Sequence, residues 1–182
     1  MKILSIIYDG GSRIPGARFA PTKYYQEAML YDRKDSDIIT INLGNQDLFS
    51  IDLESLSRTI AESKVQIALG GDHSVTYLLA KATVREGAYL IVLDAHLDYF
   101  KDFESVVKNW NFLSFLTDFD SVSYPIIGGF QMNDFLGIIS KILCSDKVYF
   151  CDIVEYNPMV GSDNAHIFYQ MIQFVKSKLR RI

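Results

Sequence analysis

Short apolar runs alternate along the chain with longer amphipathic segments. The apolar runs have the length of buried strands, whereas the segments between them carry apolar residues at helical spacing. The predicted strands cover residues 2–7, 37–43, 65–70, 88–94 and 147–154, and the predicted helices cover residues 22–32, 52–63, 74–86, 135–143 and 163–181. Strands that alternate with helices indicate crossover connections, and therefore an α/β fold with a mostly parallel sheet covered on both faces.

The composition is that of one folded domain over residues 1–182, and it argues against several classes of partner. Hydrophobic residues make up 49% of the 182 residues and charged residues 22%, so a sizeable core is expected. The formal net charge of −4 includes no long run of Lys or Arg, which argues against nucleic acid and anionic membrane as partners. No apolar run approaches the roughly 18 residues of a membrane span. Cys144 and Cys151 lack metal or redox spacing, which favours a reducing cytoplasm.

Acidic residues and histidines cluster where two of the predicted strands end. Asp94, His96 and Asp98 follow one strand at every second position, and His73 follows the preceding strand after a pair of glycines. Because ligands of open α/β sheets bind beyond the carboxyl ends of the strands, these side chains are expected to converge. Carboxylates and imidazoles that converge need a cation to neutralise them. Oxygen and imidazole ligands together suit manganese or zinc.

A third apolar run ends in the acidic pair Asp118 and Asp120, and its structure is open to two interpretations. In the first, residues 111–117 form a strand with both carboxylates at its tip. In the second, residues 103–116 form one helix and residues 121–127 a strand, which would place the pair at the wrong edge of the sheet. One such cluster alone is more often a solvated turn, whereas three clusters at three strand ends favour a metal site.

The same residues resemble the ureohydrolase family, which comprises arginases, agmatinases and formimidoylglutamases. YDGGSRIPGARFAP is similar to the family's glycine-rich N-terminal segment, LGGDHSVT to its first metal motif and LDAHLD to its second. LTDFD is similar to the S-x-D-x-D motif, PIIGGF to the loop after it and DIVEYNP to the last strand. The motifs occur in the family's order. The resemblance implies a three-layer αβα sandwich of the arginase/deacetylase kind, in a shortened form.

The resemblance also implies a site for two Mn²⁺ ions, or for another divalent metal. The implied ligands are His73, Asp94 and Asp98 on one ion, His96 and Asp120 on the other, and Asp94 and Asp118 bridging both. A hydroxide held between the ions would attack the carbon of a small guanidino, amidino or formimino substrate. Asp120 would help to stabilise the tetrahedral intermediate, and Glu155 would face the amidino group as a bidentate partner.

The interval before the third cluster departs from the family. Only 19 residues separate Asp98 from Asp118, and none of them is a histidine. The family carries a substrate loop there, and its histidine assists proton transfer to the leaving amine, typically worth about 10² to 10⁴ in rate. Trp110 and Asn111 stand where its His-Gly pair would fall. Two functions therefore remain open: a compact ureohydrolase-type enzyme, or a catalytically idle relative that acts as a metal-binding or scaffold subunit. Amide hydrolysis of the deacetylase kind fits less well, because those enzymes have a different ligand order.

The last predicted helix contains the strongly apolar stretch HIFYQMIQFV. A short chain with such a helix has apolar surface to cover. Together with the typically oligomeric state of the family, this predicts a homo-oligomer. The sequence names no individual substrate.

Overall fold

The described strands form one parallel sheet. The structure is a computed structural model that describes residues 1–12, 14–31, 38–84, 86–88, 91, 132–145, 147–160 and 164–179. Within these ranges the strands are β1 (Ile3–Ile7), β2 (Ile38–Asn42), β3 (Ile67–Leu69) and β4 (Cys151–Ile153). They lie side by side in the order β2-β1-β3-β4, and every pairing is parallel.

Helices cover both faces of this sheet. They are α1 (Ala20–Leu30), α2 (Leu53–Ser63), α3 (Ser74–Thr83), α4 (Met132–Leu143) and α5 (Ala165–Lys178). Helices α1, α4 and α5 pack with Ile3 of β1 in one buried cluster, whereas α2 and α3 pack with Leu4 and Ile6 in the other. Successive strand side chains point to opposite faces, so β1 contributes to both clusters. The predicted three-layer αβα sandwich is confirmed.

The elements differ from the predicted bounds for identifiable reasons. Helix α1 begins at Ala20 rather than at residue 22, because Pro21 fits the first helical turn, where its missing N–H is not needed. Strand β4 was predicted over residues 147–154 but spans only Cys151–Ile153, since its ladder with β3 has three residue pairs. The predicted strand at 88–94 lies outside the described residues except at Ala88 and Ile91.

Most of the apolar residues of α5 lie in the core. Phe168, Ile172 and Val175 are fully buried, and Phe168 stacks on Tyr156 with ring centroids 4.3 Å apart. These side chains stabilise the layer of helices and contribute no exposed apolar surface, so the oligomer predicted from them stays a prediction. Among the described residues, no helix has both the length and the hydropathy required of a membrane span.

Candidate active site

The carboxyl ends of β1, β3 and β4 meet at one edge of the sheet. Parallel register pairs Ile3 with Ile67 and Ile67 with Cys151, so the chain leaves all three strands in the same direction. Hydrogen bonds continue between the segments that follow β3 and β4. Gly70 donates to the carbonyl of Ile153 at 3.0 Å, which places the turn after β3 directly beside the end of β4.

The turn after β3 passes very close to the end of β1. A Cβ added at Gly71 would lie 1.5 Å from the carbonyl oxygen of Tyr8, a distance at which no side chain fits. A Cβ added at Gly70 would lie 2.7 Å from Val75 and 2.8 Å from Val154. Gly71 is therefore required by close backbone approach, and Gly70 by the valine side chains that pack against it. Asp72 and His73 follow this glycine pair and connect it to the start of α3.

Asp72 links the start of α3 to the glycine-rich segment that follows β1 (residues 8–21) through hydrogen bonds. Its side chain is 1% exposed and accepts hydrogen bonds from the backbone N–H of Ser74 at 3.1 Å and from the Ser74 hydroxyl. Its other oxygen accepts from the N–H of Gly11 at 2.7 Å. Burial raises the pKa of this carboxyl, and the hydrogen bonds from Ser74 and Gly11 oppose that shift. Sequence patterns give Asp72 no role, because its Gly11 partner lies 61 residues away in the chain.

His73 and Glu155 come together at this edge. His73 is 3% exposed, and its backbone N–H donates to Oε1 of Glu155 at 2.5 Å. The N–H of Glu155 donates in turn to the carbonyl of Gly71 at 2.7 Å. Glu155 is partly buried and has a left-handed backbone with φ of 65°. The structure thus places two of the predicted site residues in direct contact.

The glycine-rich segment is held by an ion pair between buried Asp9 and partly exposed Arg18. Asp9, which is 4% exposed, accepts from the N–H of Gly16 at 2.8 Å and from Nε of Arg18 at 2.5 Å. The Arg18 guanidinium also donates to Oδ1 of Asn45 at 3.1 and 3.2 Å, beyond the end of β2. Burial by itself would raise the pKa of Asp9, but the Arg18 and Gly16 hydrogen bonds outweigh it, and the pKa lies below its usual value of 3.8.

A second contact ties the same segment to the chain after β4. The side-chain amide of Asn157 donates to the carbonyls of Ile14 and Pro15, each at 3.3 Å. Gly16 has φ of 135°, and a Cβ there would lie 2.3 Å from Oδ1 of Asn157, so this position requires glycine. The glycine-rich segment is therefore bonded to the segments that follow β2, β3 and β4.

Tyr8 lies beneath this network and stays neutral near pH 7. It is 2% exposed, and its hydroxyl donates to the carbonyl of Gln46 at 3.1 Å. Burial raises its pKa to about 12, with further contributions from the charges of Asp72, Asp47 and Asp9. A phenol of this kind supports the packing at the edge rather than exchanging protons there.

The other predicted ligands lie outside the described residues. They are Asp94, His96, Asp98, Asp118 and Asp120. Their convergence stays a prediction, as do both interpretations of the third cluster. A buried imidazole just after a strand is suited to be a nitrogen ligand, and His73 fits that role. Within the described ranges no group of three His, Cys, Asp or Glu side chains could hold a metal, so a site here needs residues from beyond them.

The cysteines play no part at this edge. Cys144 is exposed, Cys151 is buried in β4, and both are free thiols. Burial raises the pKa of the Cys151 thiol well above its usual range, which keeps it protonated and unreactive.

A parallel αβα sandwich with polar groups gathered at its carboxyl strand ends is the architecture of ligand-binding α/β proteins. The model of the Arginase family matches residues 1–111. This range includes the glycine-rich segment and the first two metal motifs. The chain therefore belongs to the Arginase family, as the resemblance to ureohydrolases indicated.

Curated relatives match about half of the chain. An uncharacterized 32.2 kDa protein encoded in the hmfB 3' region of Methanothermus fervidus is 32% identical over an alignment 112 residues long, which covers 53% of this chain and 39% of that protein. Mitochondrial agmatinase of Gallus gallus is 29% identical over an alignment 107 residues long, which covers 49% of this chain and 32% of that protein. The matched segment thus spans less than two fifths of either relative.

Solved arginases share the fold. Arginase from Bacillus subtilis aligns with a TM-score of 0.65 and 13% identity, covering 100% of this chain and 99% of that one. Arginase from Entamoeba histolytica, in complex with L-ornithine, aligns with a TM-score of 0.58 and 14% identity, covering 98% and 97%. At these identities the likeness establishes the αβα architecture.

Proposed function

We propose that this chain is a metal-dependent hydrolase that cleaves a C–N bond in a small guanidino or amidino compound similar to agmatine or arginine, or in a formimino compound. The observation that carries the proposal is the contact of buried His73 with Glu155 at the carboxyl edge of the sheet. In a chain of the Arginase family, this contact joins a proposed metal ligand, His73, to the carboxylate that is proposed to bind the substrate, Glu155.

His73 would act as a nitrogen ligand, supplied by the rigid turn between β3 and α3. The remaining proposed ligands are Asp98 for the same ion as His73, and His96 and Asp120 for the other ion. Asp94 and Asp118 would be shared by both ions. When bound, two Mn²⁺ ions would supply an activated water nucleophile near neutral pH. Asp120 keeps its proposed catalytic role beside its role as a ligand.

Glu155 would bind and orient the substrate. A carboxylate pairs bidentately with a planar amidinium cation, which fixes both the position and the plane of the reacting group. Its partly buried position strengthens such a pair relative to bulk water. Glu155 would thus recognise the cationic head of the substrate, and no residue is assigned to its tail.

The test measures metal content and product release together. Protein loaded with Mn²⁺ is assayed for bound metal and for urea or ammonia from arginine, agmatine, guanidinobutyrate and formimidoylglutamate. We expect bound Mn²⁺ and turnover of at least one compound, with loss of metal and of activity in Asp118→Ala. A chain that binds no metal overturns the proposal. Equal metal content in wild type, Asp118→Ala and Asp120→Ala overturns the assignment of the third cluster.

The interval without histidine favours a second candidate. If no residue between Asp98 and Asp118 assists proton transfer, the chain could hold metal without turnover and serve a scaffold role. Full Mn²⁺ loading with no product from any of the four compounds is the result that this candidate expects.

We also propose that the chain forms a homo-oligomer. Met29 and Leu30, each 76% exposed on α1, are apolar side chains that a second copy could cover. Light scattering at tens of micromolar tests this, and a monodisperse monomer would contradict it.

A further inference from the structure

Glu155 contacts the turn that carries His73 at two points. Its backbone N–H donates to the carbonyl of Gly71 at 2.7 Å, and its Oε1 accepts from the N–H of His73 at 2.5 Å. Glu155, which follows β4, thus binds the two residues that flank Asp72. Together with the helical bonds from the N–H groups of Val75 and Thr76 to the carbonyls of Asp72 and His73, these two bonds fix the orientation of the peptide units around His73, and hence the direction in which its side chain leaves the backbone.

The backbone of Glu155 marks this position as constrained. Its φ of 65° is a left-handed conformation that glycine adopts readily and that other residues adopt only when their surroundings require it. A glutamate in that conformation needs contacts that hold it there. The bond to His73 is such a contact.

We propose that Glu155 is a positioning residue for His73: its carboxylate holds the His73 backbone and thereby sets the placement of the imidazole for metal. This inference rests on the proposed function, in which the same carboxylate faces the substrate. A carboxylate offers about four acceptor sites, so holding one N–H does not exhaust it. Glu155 would therefore couple the metal half of the site to the substrate half.

Asp72 shows why this role belongs to Glu155. Asp72 is the more deeply buried acid, but its oxygens accept from Gly11 and Ser74 and not from His73. It stabilises the start of α3 and the glycine-rich segment. Of these bonds, the one to Glu155 is donated by the N–H of His73 itself.

Three substitutions at Glu155 test its positioning role in the absence of substrate. Glu155→Gln keeps an oxygen acceptor of the same reach but removes the charge, Glu155→Asp keeps the charge but shortens the side chain, and Glu155→Ala removes both. Glu62→Ala and Glu62→Gln, at an exposed acid of α2, are the matched controls. Amide hydrogen exchange at His73 is measured by NMR on metal-free protein, and Mn²⁺ affinity is measured by titration.

We expect Glu155→Ala and Glu155→Asp to exchange the His73 amide about tenfold faster than wild type, because a hydrogen bond to a charged group is lost. Their Mn²⁺ affinity should fall by about 10- to 100-fold, as it does when a residue that orients a metal ligand is removed. Glu155→Gln should stay close to wild type in both measurements, and so should both controls.

Two results overturn the inference. One is a His73 amide that exchanges in Glu155→Asp and Glu155→Ala as slowly as in wild type. The other is an unchanged Mn²⁺ affinity despite faster exchange, which would mean that Glu155 stabilises the turn but does not position His73 for metal. If Glu155→Ala does not fold by circular dichroism, Glu155→Asp against Glu155→Gln decides. Wild type that binds no Mn²⁺ contradicts the proposed function, while the exchange data still test whether Glu155 holds the His73 backbone.

Discussion

The helical layers and the carboxyl edge of the sheet are held together by different interactions. In the layer of α1, α4 and α5 the buried cluster consists of apolar and aromatic side chains such as Phe168 and Ile172. At the edge, Asp9 and Asp72 are almost fully buried, and each accepts three hydrogen bonds. The layers depend on non-directional burial, whereas the edge depends on the geometry of backbone and polar groups.

This difference decides what each region tolerates. A core accepts other apolar side chains of similar volume, since its stabilisation scales with buried area. The edge has backbone segments in such close contact that a single methyl group does not fit at Gly71. We therefore expect changes in the layers to lower stability, and changes at the edge to alter the proposed site as well.

The largest loss of stability is expected from a truncation in the core. Phe168 is fully buried, so Phe168→Ala should lower the free energy of unfolding by about 3–5 kcal/mol through lost burial and a cavity. Urea unfolding followed by circular dichroism measures it. Met29→Ala, at a residue 76% exposed, is the control and should change stability by about 0.5 kcal/mol or less. Similar losses in both variants would contradict the assignment of the core.

Alanine at two glycines should change stability in opposite directions. Gly71→Ala forces a Cβ against the Tyr8 carbonyl and should cost about 1–3 kcal/mol or more. Gly137 lies in α4 with nothing within 4 Å of an added Cβ, so Gly137→Ala should stabilise by about 0.4–1 kcal/mol. Thermal unfolding of both variants measures the difference, and a neutral Gly71→Ala would show that the edge is less tightly packed than the structure has it.

Removal of a buried hydrogen-bond acceptor should cost more than removal of an exposed helix cap. Asp72→Ala leaves the N–H of Gly11 buried without its acceptor, a loss of about 1–3 kcal/mol. Asp52 caps α2 at the surface through the N–H of Ser55, and Asp52→Ala should cost about 1 kcal/mol or less. Urea midpoints at equal m-values compare the two variants. Equal costs would mean that burial adds nothing to the Asp72 contacts.

The smallest effect concerns acid stability. The pKa of Asp9 is lowered in the folded chain, so its stabilising contribution is present above the unfolded value of 3.8 and is lost as the pH falls through the folded value. Asp9→Asn should be less stable than wild type near pH 7 and should lose less stability on acidification. Unfolding curves from pH 7 down to acid measure this, with Asp134→Asn, at an exposed acid of α4, as the control. Parallel pH profiles for wild type and Asp9→Asn would contradict the pKa shift.

Local sequence patterns were sufficient to predict most helices and strands. They were insufficient where a contact with a distant part of the chain determines where an element ends. The helix predicted over residues 52–63 begins at Leu53 and ends at Ser63, because its cap and its apolar spacing are both local. Strand β4 proved shorter than predicted, since its length depends on a partner more than 80 residues earlier in the chain. The role of Asp72 was missed for the same reason: its Gly11 partner is 61 residues away.

The sequence by itself determined the alternation of strands and helices, the parallel sheet and the placement of His73 just after a strand. These follow from periodicity and from glycine and acid positions, which are local properties. Only the tertiary structure decided that β4 lies beside β3, and therefore that Glu155 holds the backbone of His73, 82 residues away. Strand order is set by packing of whole layers, and no local pattern in the chain encodes it.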